Sequence, residues 1–220
     1  METYQTEEQQ VEAIKNFWQE NGNLIIGGLL VGFGSFIGFN YYQDDKLASE
    51  ESATSAYMTM MQEAQTNGDD FAKDGEAFIA AHKESSFASF TSLALAKDAV
   101  SHKDWAGAQK HLQMAIDNAA DDGVKSIALL RLARIQLQQE QADSALATLS
   151  AQMSEGFVGA AEEIKGDAYL MQGKKDLARN AYQAAIDALG TAASTNPSLQ
   201  MKLDDLAQHI ELSSVPAATK

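Results

Sequence analysis

The chain contains no cysteine and only two prolines in 220 residues, and cations are scarce: 16 Lys and Arg against 31 Asp and Glu, a formal charge of −15. Each shortage excludes something. Without cysteine there is no disulfide framework, no thiolate zinc site and no thiol nucleophile. An oxidising compartment stays open, because exported proteins need not carry disulfides. Few prolines, with many Ala, Leu, Gln and Lys, favour long helices; strand-rich folds usually need more turn punctuation. The acid excess argues against nucleic acid, a polyanion whose recognition needs clustered Lys and Arg. Anionic lipid headgroups are disfavoured likewise. The length suits one anchor plus one domain, or one large domain.

Charge is absent altogether from Asn21 to Gln43. Within that stretch Leu24–Tyr42 is an apolar, glycine-rich run of 19 residues. As a helix it rises about 28 Å, close to the ~30 Å of a bilayer's hydrocarbon core. Trp18 before it and Tyr41 and Tyr42 at its end stand where an interfacial aromatic belt would lie. A cleaved signal peptide does not fit: the run is too long, the preceding stretch is acidic, and no Ala-x-Ala-like site follows Tyr42. A membrane span and a buried core helix are the alternatives, and the span is the expectation. Lys15 on one side and Lys46 on the other balance, and the free α-amino group tips the count towards a cytoplasmic N-terminus. The segment is then a signal-anchor, with residues 44–220 beyond the membrane; in a bacterium that side is the periplasm.

The glycines of the span are clustered. At roughly 100° per residue, Gly27, Gly28, Gly32, Gly34, Ser35 and Gly38 fall within about half the helix circumference, opposite Ile26, Leu29, Leu30, Phe33, Phe36 and Ile37. Gly28 and Gly32, and Gly34 and Gly38, form small-xxx-small pairs, which permit close approach of a second helix in lipid. Glycine is also common in membrane helices generally, so a docking face and plain composition both account for it. Before the span, Val11, Ile14, Phe17 and Trp18 share one face of an amphipathic helix. Thr6 and Gln9 are placed for a capping box. The polar face is acidic, which points to a cytoplasmic protein contact or to a simple lead-in rather than to a lipid surface.

The rest of the chain repeats. Ala96 and Ala108 are twelve residues apart, as are Ala133 and Ala145, and Gly166 and Ala178. The second small residue recurs at 108, 145 and 178, in steps of 37 and 33. This resembles the tetratricopeptide repeat, a helix–turn–helix unit of nominally 34 residues. Small residues at the two positions let paired helices approach, and large ones fill the groove between them. The third unit matches best, with Gly166-x-x-Tyr169, Gly173, Ala178, Tyr182 and Ala185. The first opens its second helix at Asp104-Trp105, a cap followed by a hydrophobic wedge.

The expected fold class is therefore all-α: a single N-terminal transmembrane helix followed by a tetratricopeptide-like (TPR-like) helical-hairpin solenoid. We place a cytoplasmic amphipathic segment at 1–22, the span at 23–43 and a periplasmic domain at 44–212. Repeats lie near 89–122, 126–158 and 159–192, and a frayed tail at 213–220. Helices near 44–66 and 70–83, broken by Gly68-Asp69-Asp70, precede the repeats. Thr195-Asn196-Pro197 turns the chain into a last helix ending about Leu212.

Catalytic constellations are not found. His82, His102, His111 and His209 are never spaced i, i+4. The pairs Asp69-Asp70, Asp121-Asp122, Glu162-Glu163 and Asp204-Asp205 fall mostly at turns and helix starts, where acids complement the helix dipole. There is no nucleophile elbow, phosphate loop or calcium loop, and no cofactor or metal is expected. Met58, Met60 and Met61 fit core packing or, less often, an adaptable surface. A stack of hairpins instead offers a concave surface lined by the first helix of each unit. The repeat frame puts Lys97, Val100, Leu130, Arg131, Arg134, Leu137, Leu170 and Met171 near it. The Lys and the two Arg either meet a partner's carboxylates or form salt bridges inside the domain. The Lys and Asn pattern that clamps a free C-terminal carboxylate is not reproduced.

Four strings carry a family resemblance over essentially the whole chain: Val11-Glu-Ala-Ile-Lys-Asn-Phe-Trp, Glu20-Asn-Gly, Leu130-Arg-Leu-Ala-Arg-Ile-Gln-Leu and Lys165-Gly-Asp-Ala-Tyr. With the order of anchor and repeats, the chain resembles the YfgM family, the ancillary subunit of the bacterial SecYEG translocon. The resemblance implies a non-enzymatic, single-span inner-membrane protein with its repeats in the periplasm. It also implies association with SecYEG and with the chaperone PpiD, and a part in passing translocating polypeptides to periplasmic chaperones. Asn40, Asp44 and Asp45 stand where that family leads one to expect basic residues. A TPR adaptor of another envelope or secretion assembly, an enzyme with an unrecognised site, and a homodimer formed through the glycine face remain open beside it.

Overall fold

The computed structural model describes residues 7–66 and 70–213. Among them it is all-helical: α1 (Glu7–Thr66), α2 (Phe71–Ala81), α3 (Ser86–Ser101), α4 (Trp105–Asp117), α5 (Asp122–Gln138), α6 (Ala142–Thr148), α7 (Val158–Met171), α8 (Lys175–Leu189) and α9 (Pro197–Ser213), with 3-10 turns at Glu155–Phe157 and Gly190–Thr195. Thr6, Gly68, Asp69 and the tail after Ser213, to which a cap, a break and fraying were assigned from sequence, lie outside the described residues.

The chain divides into two compact units, Met1–Ser52 and Ala53–Lys220. The amphipathic start, the apolar run and the helix expected near 44–66 are parts of one uninterrupted helix rather than separate ones. From Asn40 to Thr66 no Gly or Pro intervenes, so nothing removes a backbone donor or favours a break. In the first unit α1 has almost no protein around it: Leu24, Phe33 and Tyr41 are 78%, 64% and 75% exposed. Of its most apolar window only 6% is buried within the protein, which overturns the core-helix alternative. The helix is long and apolar enough to cross a membrane.

The second unit is a stack of hairpins. Paired helices α3/α4, α5/α6 and α7/α8 meet at Ala96 and Ala108, Ala133 and Ala145, and Gly166 and Ala178, all buried. The last pair shows why the positions must be small: a Cβ on Gly166 would run into the Tyr182 ring. Each core then joins neighbouring pairs only. Leu93, Leu112, Val124 and Leu132 close α3, α4 and α5 together. Leu130, Leu149, Ala161 and Ile164 close α5, α6 and α7. Met60, Phe78, Ile79 and Leu95 seal one end, where Tyr57 stacks on Phe87 at 4.6 Å. Of the methionine cluster, Met60 is core, Met61 packs beside it, and Met58 faces solvent at 65% exposure.

The three hairpin turns are copies of one another. Lys103, Glu140 and Gly173 have φ of 61°, 59° and 74°, and each stands two residues before the second helix of its unit. Each makes the same pair of bonds to the preceding helix: Lys103 N–H to Val100 C=O (3.0 Å) and Asp104 N–H to Ala99 C=O (2.8 Å), Glu140 to Leu137 (2.9 Å) and Gln141 to Gln136 (2.8 Å), Gly173 to Leu170 (2.9 Å) and Lys174 to Tyr169 (2.9 Å). This is the Schellman ending, which satisfies carbonyls a helix otherwise leaves bare. Asp104 and Asp121 accept from Gly107 N–H (2.9 Å) and Val124 N–H (2.8 Å), starting α4 and α5. Asn196 accepts from Leu199 N–H (3.3 Å), with Pro197 as the first residue of α9.

The far end is closed by α9. Leu199 and Leu206 pack on Ala178, Tyr182 and Ala185. Lys202 donates to Glu163 at 2.9 Å and to Asp167 at 2.9 Å, both on α7, and its ammonium lies 5.6 Å from the Tyr182 ring centre. Tyr182 O–H donates to Asp167 at 2.8 Å. Burial, then the hydrogen bond to Asp167, push the Tyr182 phenol far above its ordinary value. Burial pulls the Lys202 ammonium down, but the bonds and charges of Asp167 and Glu163 outweigh it and hold it above its ordinary value.

Two predictions follow from these turns and this closure. Glu140 is a non-glycine residue in left-handed backbone, so Glu140→Gly raises unfolding free energy by about 0.5–1 kcal/mol, and Gly173→Ala lowers it by about 1 kcal/mol; urea titration of the two variants checks both signs. Tyr182 and Lys202 each keep their proton more firmly folded than unfolded, so their stability is complete below pH about 10 and is lost as pH rises above that. The thermal midpoint is therefore flat from neutral pH to about 9 and falls beyond about 10, and Tyr182→Phe with Lys202→Met flattens the alkaline fall.

Candidate functional site

On α3 and α5, Lys97, Val100, Arg131 and Arg134 come together around one recess of about 260 Å³, completed by Ala96, Leu112 and Ile135. Its floor is apolar and its rim cationic. The spacing explains this: Lys97 and Val100, and Arg131 and Arg134, are three apart and share a helix face, while Ala96 and Ile135 next to them turn into the core. Lys97, Arg131 and Arg134 are exposed. Among the described residues the ion pairs are His102–Asp98, Lys110–Glu76, Lys165–Glu162, Arg179–Asp176, Lys202–Glu163 and Lys202–Asp167; none involves the three rim cations. The internal salt bridges weighed from sequence are not formed.

The other four residues placed near this surface lie elsewhere. Leu130 is 5% exposed and belongs to the core with Ala133, Leu149 and Ile164. Leu137, one heptad on, packs half-buried against the same core. The frame had put Leu130 beside Arg131, but adjacent helical residues diverge by about 100°, so one points out and the other in. Leu170 and Met171 are exposed at the C-terminal end of α7 and do not line the recess.

In the first unit Gly28 and Gly32 floor an open hollow with Ile25, Leu29, Phe33 and Phe36. Gly27, Gly34, Ser35 and Gly38 are exposed on α1 but outside that hollow. A Cβ on Gly27, Gly28, Gly32, Gly34 or Gly38 would meet nothing within 4 Å. These glycines differ from Gly75, Gly159 and Gly166, whose Cβ would collide with Leu95, Leu189 and Tyr182. The chain's own packing requires the second set and not the first.

The histidines serve locally. His82 lies 5.0 Å from the Phe78 ring, and His102 is exposed, 3.6 Å from Asp98. His111 is buried with Nδ1 unpartnered, and burial, helped by Lys110, lowers its pKa. The side chain of His209 is outside the described set. Among the described residues no three His, Asp or Glu gather to hold a metal. Of the acidic pairs, Asp121 caps α5, Glu163 holds Lys202, and Asp204 accepts from Gln200.

A family model described as a tetratricopeptide repeat-like domain matches residues 15–208, from ahead of the apolar run into α9. The chain is 34% identical, over 94% of its length and 99% of the relative's, to a protein of Escherichia coli (strain K12) named "Ancillary SecYEG translocon subunit". The chain belongs to this family. Relatives of the same name from Haemophilus influenzae and Neisseria gonorrhoeae are 31% and 26% identical, over 81% and 94% of the chain and 88% and 100% of their own lengths. No solved structure matches the chain. The apolar helix and the repeats thus fall within one family match.

Because the rim cations form no ion pair among the described residues, Arg131→Gln with Arg134→Gln changes unfolding free energy by less than about 0.5 kcal/mol. Chemical denaturation checks it; a loss of 1 kcal/mol or more would reveal an internal role for the arginines.

Proposed function

We propose that the protein is a non-enzymatic scaffold, held in the bacterial inner membrane by α1, that associates with the SecYEG translocon and helps hand translocated polypeptides to periplasmic chaperones of the PpiD kind. Residues 1–22 lie in the cytoplasm, 23–43 cross the bilayer, and 44–212 stand in the periplasm. The observation that carries this reading is the Escherichia coli relative bearing the translocon-subunit name, matched over 99% of its length. At that coverage almost all of that protein has a counterpart here. Physical features support it. A stack of paired helices works by presenting surface rather than by performing chemistry. The span glycines, unused by the chain's own fold, leave room for a second membrane helix to approach its backbone closely.

The test targets that face. Gly28→Leu with Gly34→Leu weakens recovery of translocon components after mild detergent extraction several-fold, while the melting curve of the repeat domain is unchanged. Undiminished recovery rejects the docking face. Wild-type protein that brings down no translocon component points to an adaptor of another envelope assembly, and recovery of tagged and untagged copies together, lost in the same variant, points to a homodimer.

A further inference from the structure

The recess between α3 and α5 carries more information than its place in a repeat. In a chain with 31 acids and 16 cations, three cations gathered at one apolar recess are a local reversal of the overall charge. Lys110, Lys165, Arg179 and Lys202 all have carboxylates. Among the described residues Lys97, Arg131 and Arg134 form no ion pair, and all three line one recess with an apolar floor. Two of the chain's three arginines stand there. Arginine is weakly hydrated and presents a fork of donors that matches a carboxylate, so it suits an acidic partner better than lysine does. The recess, at about 260 Å³, is below the ~300–1,000 Å³ usual for small-molecule sites and fits a side chain better than a cofactor.

We infer that this recess binds a polypeptide segment in which an apolar side chain is flanked by Asp or Glu. The side chain fills the floor over Val100, Leu112 and Ile135, and its neighbours' carboxylates accept from Arg131, Arg134 and Lys97. The acid excess over the rest of the chain repels such a segment and confines it to this spot, so selectivity comes from repulsion elsewhere as well as attraction here. The carboxylates are side-chain ones, since the pattern that clamps a chain end is absent. The inference rests on the reading of the repeat domain as a surface that holds protein, and it adds the chemistry of what is held.

The experiment uses the full chain in detergent and a fluorescent, C-terminally amidated peptide with one leucine between glutamates, followed by anisotropy. The peptide binds, added salt weakens it, and its glutamine counterpart binds about tenfold more weakly. Arg131→Glu with Arg134→Glu loses affinity by a similar factor with an unchanged circular dichroism spectrum. The assignment is overturned if the glutamine peptide binds equally well, if the charge-reversed protein binds as wild type does, or if only a free C-terminal carboxylate is bound. Translocon recovery from the same membranes separates the two readings. Recovery without peptide binding sinks this inference alone, whereas peptide binding without recovery sinks the translocon association and leaves the recess assigned.

Discussion

Everything in the repeat domain depends on how closely two helices can approach. Ala96 and Ala108, and Ala133 and Ala145, are buried small residues within shared cores, while Gly166 makes room for the Tyr182 ring of the next helix. The tightest case is Gly166, where the Tyr182 ring occupies the space a side chain would need. Alanine there would gain about 1 kcal/mol of helix propensity, yet displacing a fully buried ring costs about 1–3 kcal/mol, so the packing term wins. From this contact follow the twelve-residue offset, the nearest-neighbour cores and the placing of the first helices so that α3 and α5 share a recess.

That offset was legible because both members of each pair sit in the contact and are constrained in kind. Other features left weaker traces. Gly173 marked its turn, but Lys103 and Glu140 perform the same left-handed turn without glycine; steps of 37 and 33 from 103 to 140 to 173 were the available signal. The Lys202 closure joins residues 35 and 39 positions apart, and no local pattern announces it. Leu130 was misplaced because a repeat frame fixes a helix's face only to within a residue, and one residue is enough to exchange surface for core. The repeat frame brought Lys97, Arg131 and Arg134 to one surface, but whether they pair within the domain depends on which acids the fold brings near.

The two units use glycine for opposite ends. In the repeat domain Gly75, Gly159 and Gly166 sit where a neighbour already fills the space of a side chain. On the apolar part of α1 the glycines face open space, and the helix bears the entropic penalty of glycine without an internal return, about 0.5–1 kcal/mol per residue in water. Acids are put to structural use in the repeat domain: Asp104 and Asp121 start helices, and Glu163 and Asp167 hold Lys202.

The closure by α9 has a bearing on synthesis. Until Leu199 and Leu206 emerge, the core of Ala178, Tyr182 and Ala185 is closed by α7 alone and lacks the cover that α9 supplies. A nascent or truncated chain ending before Pro197 would therefore leave part of that apolar core uncovered, with Glu163 and Asp167 lacking Lys202. Emergence of α9 and concealment of that core are the same event.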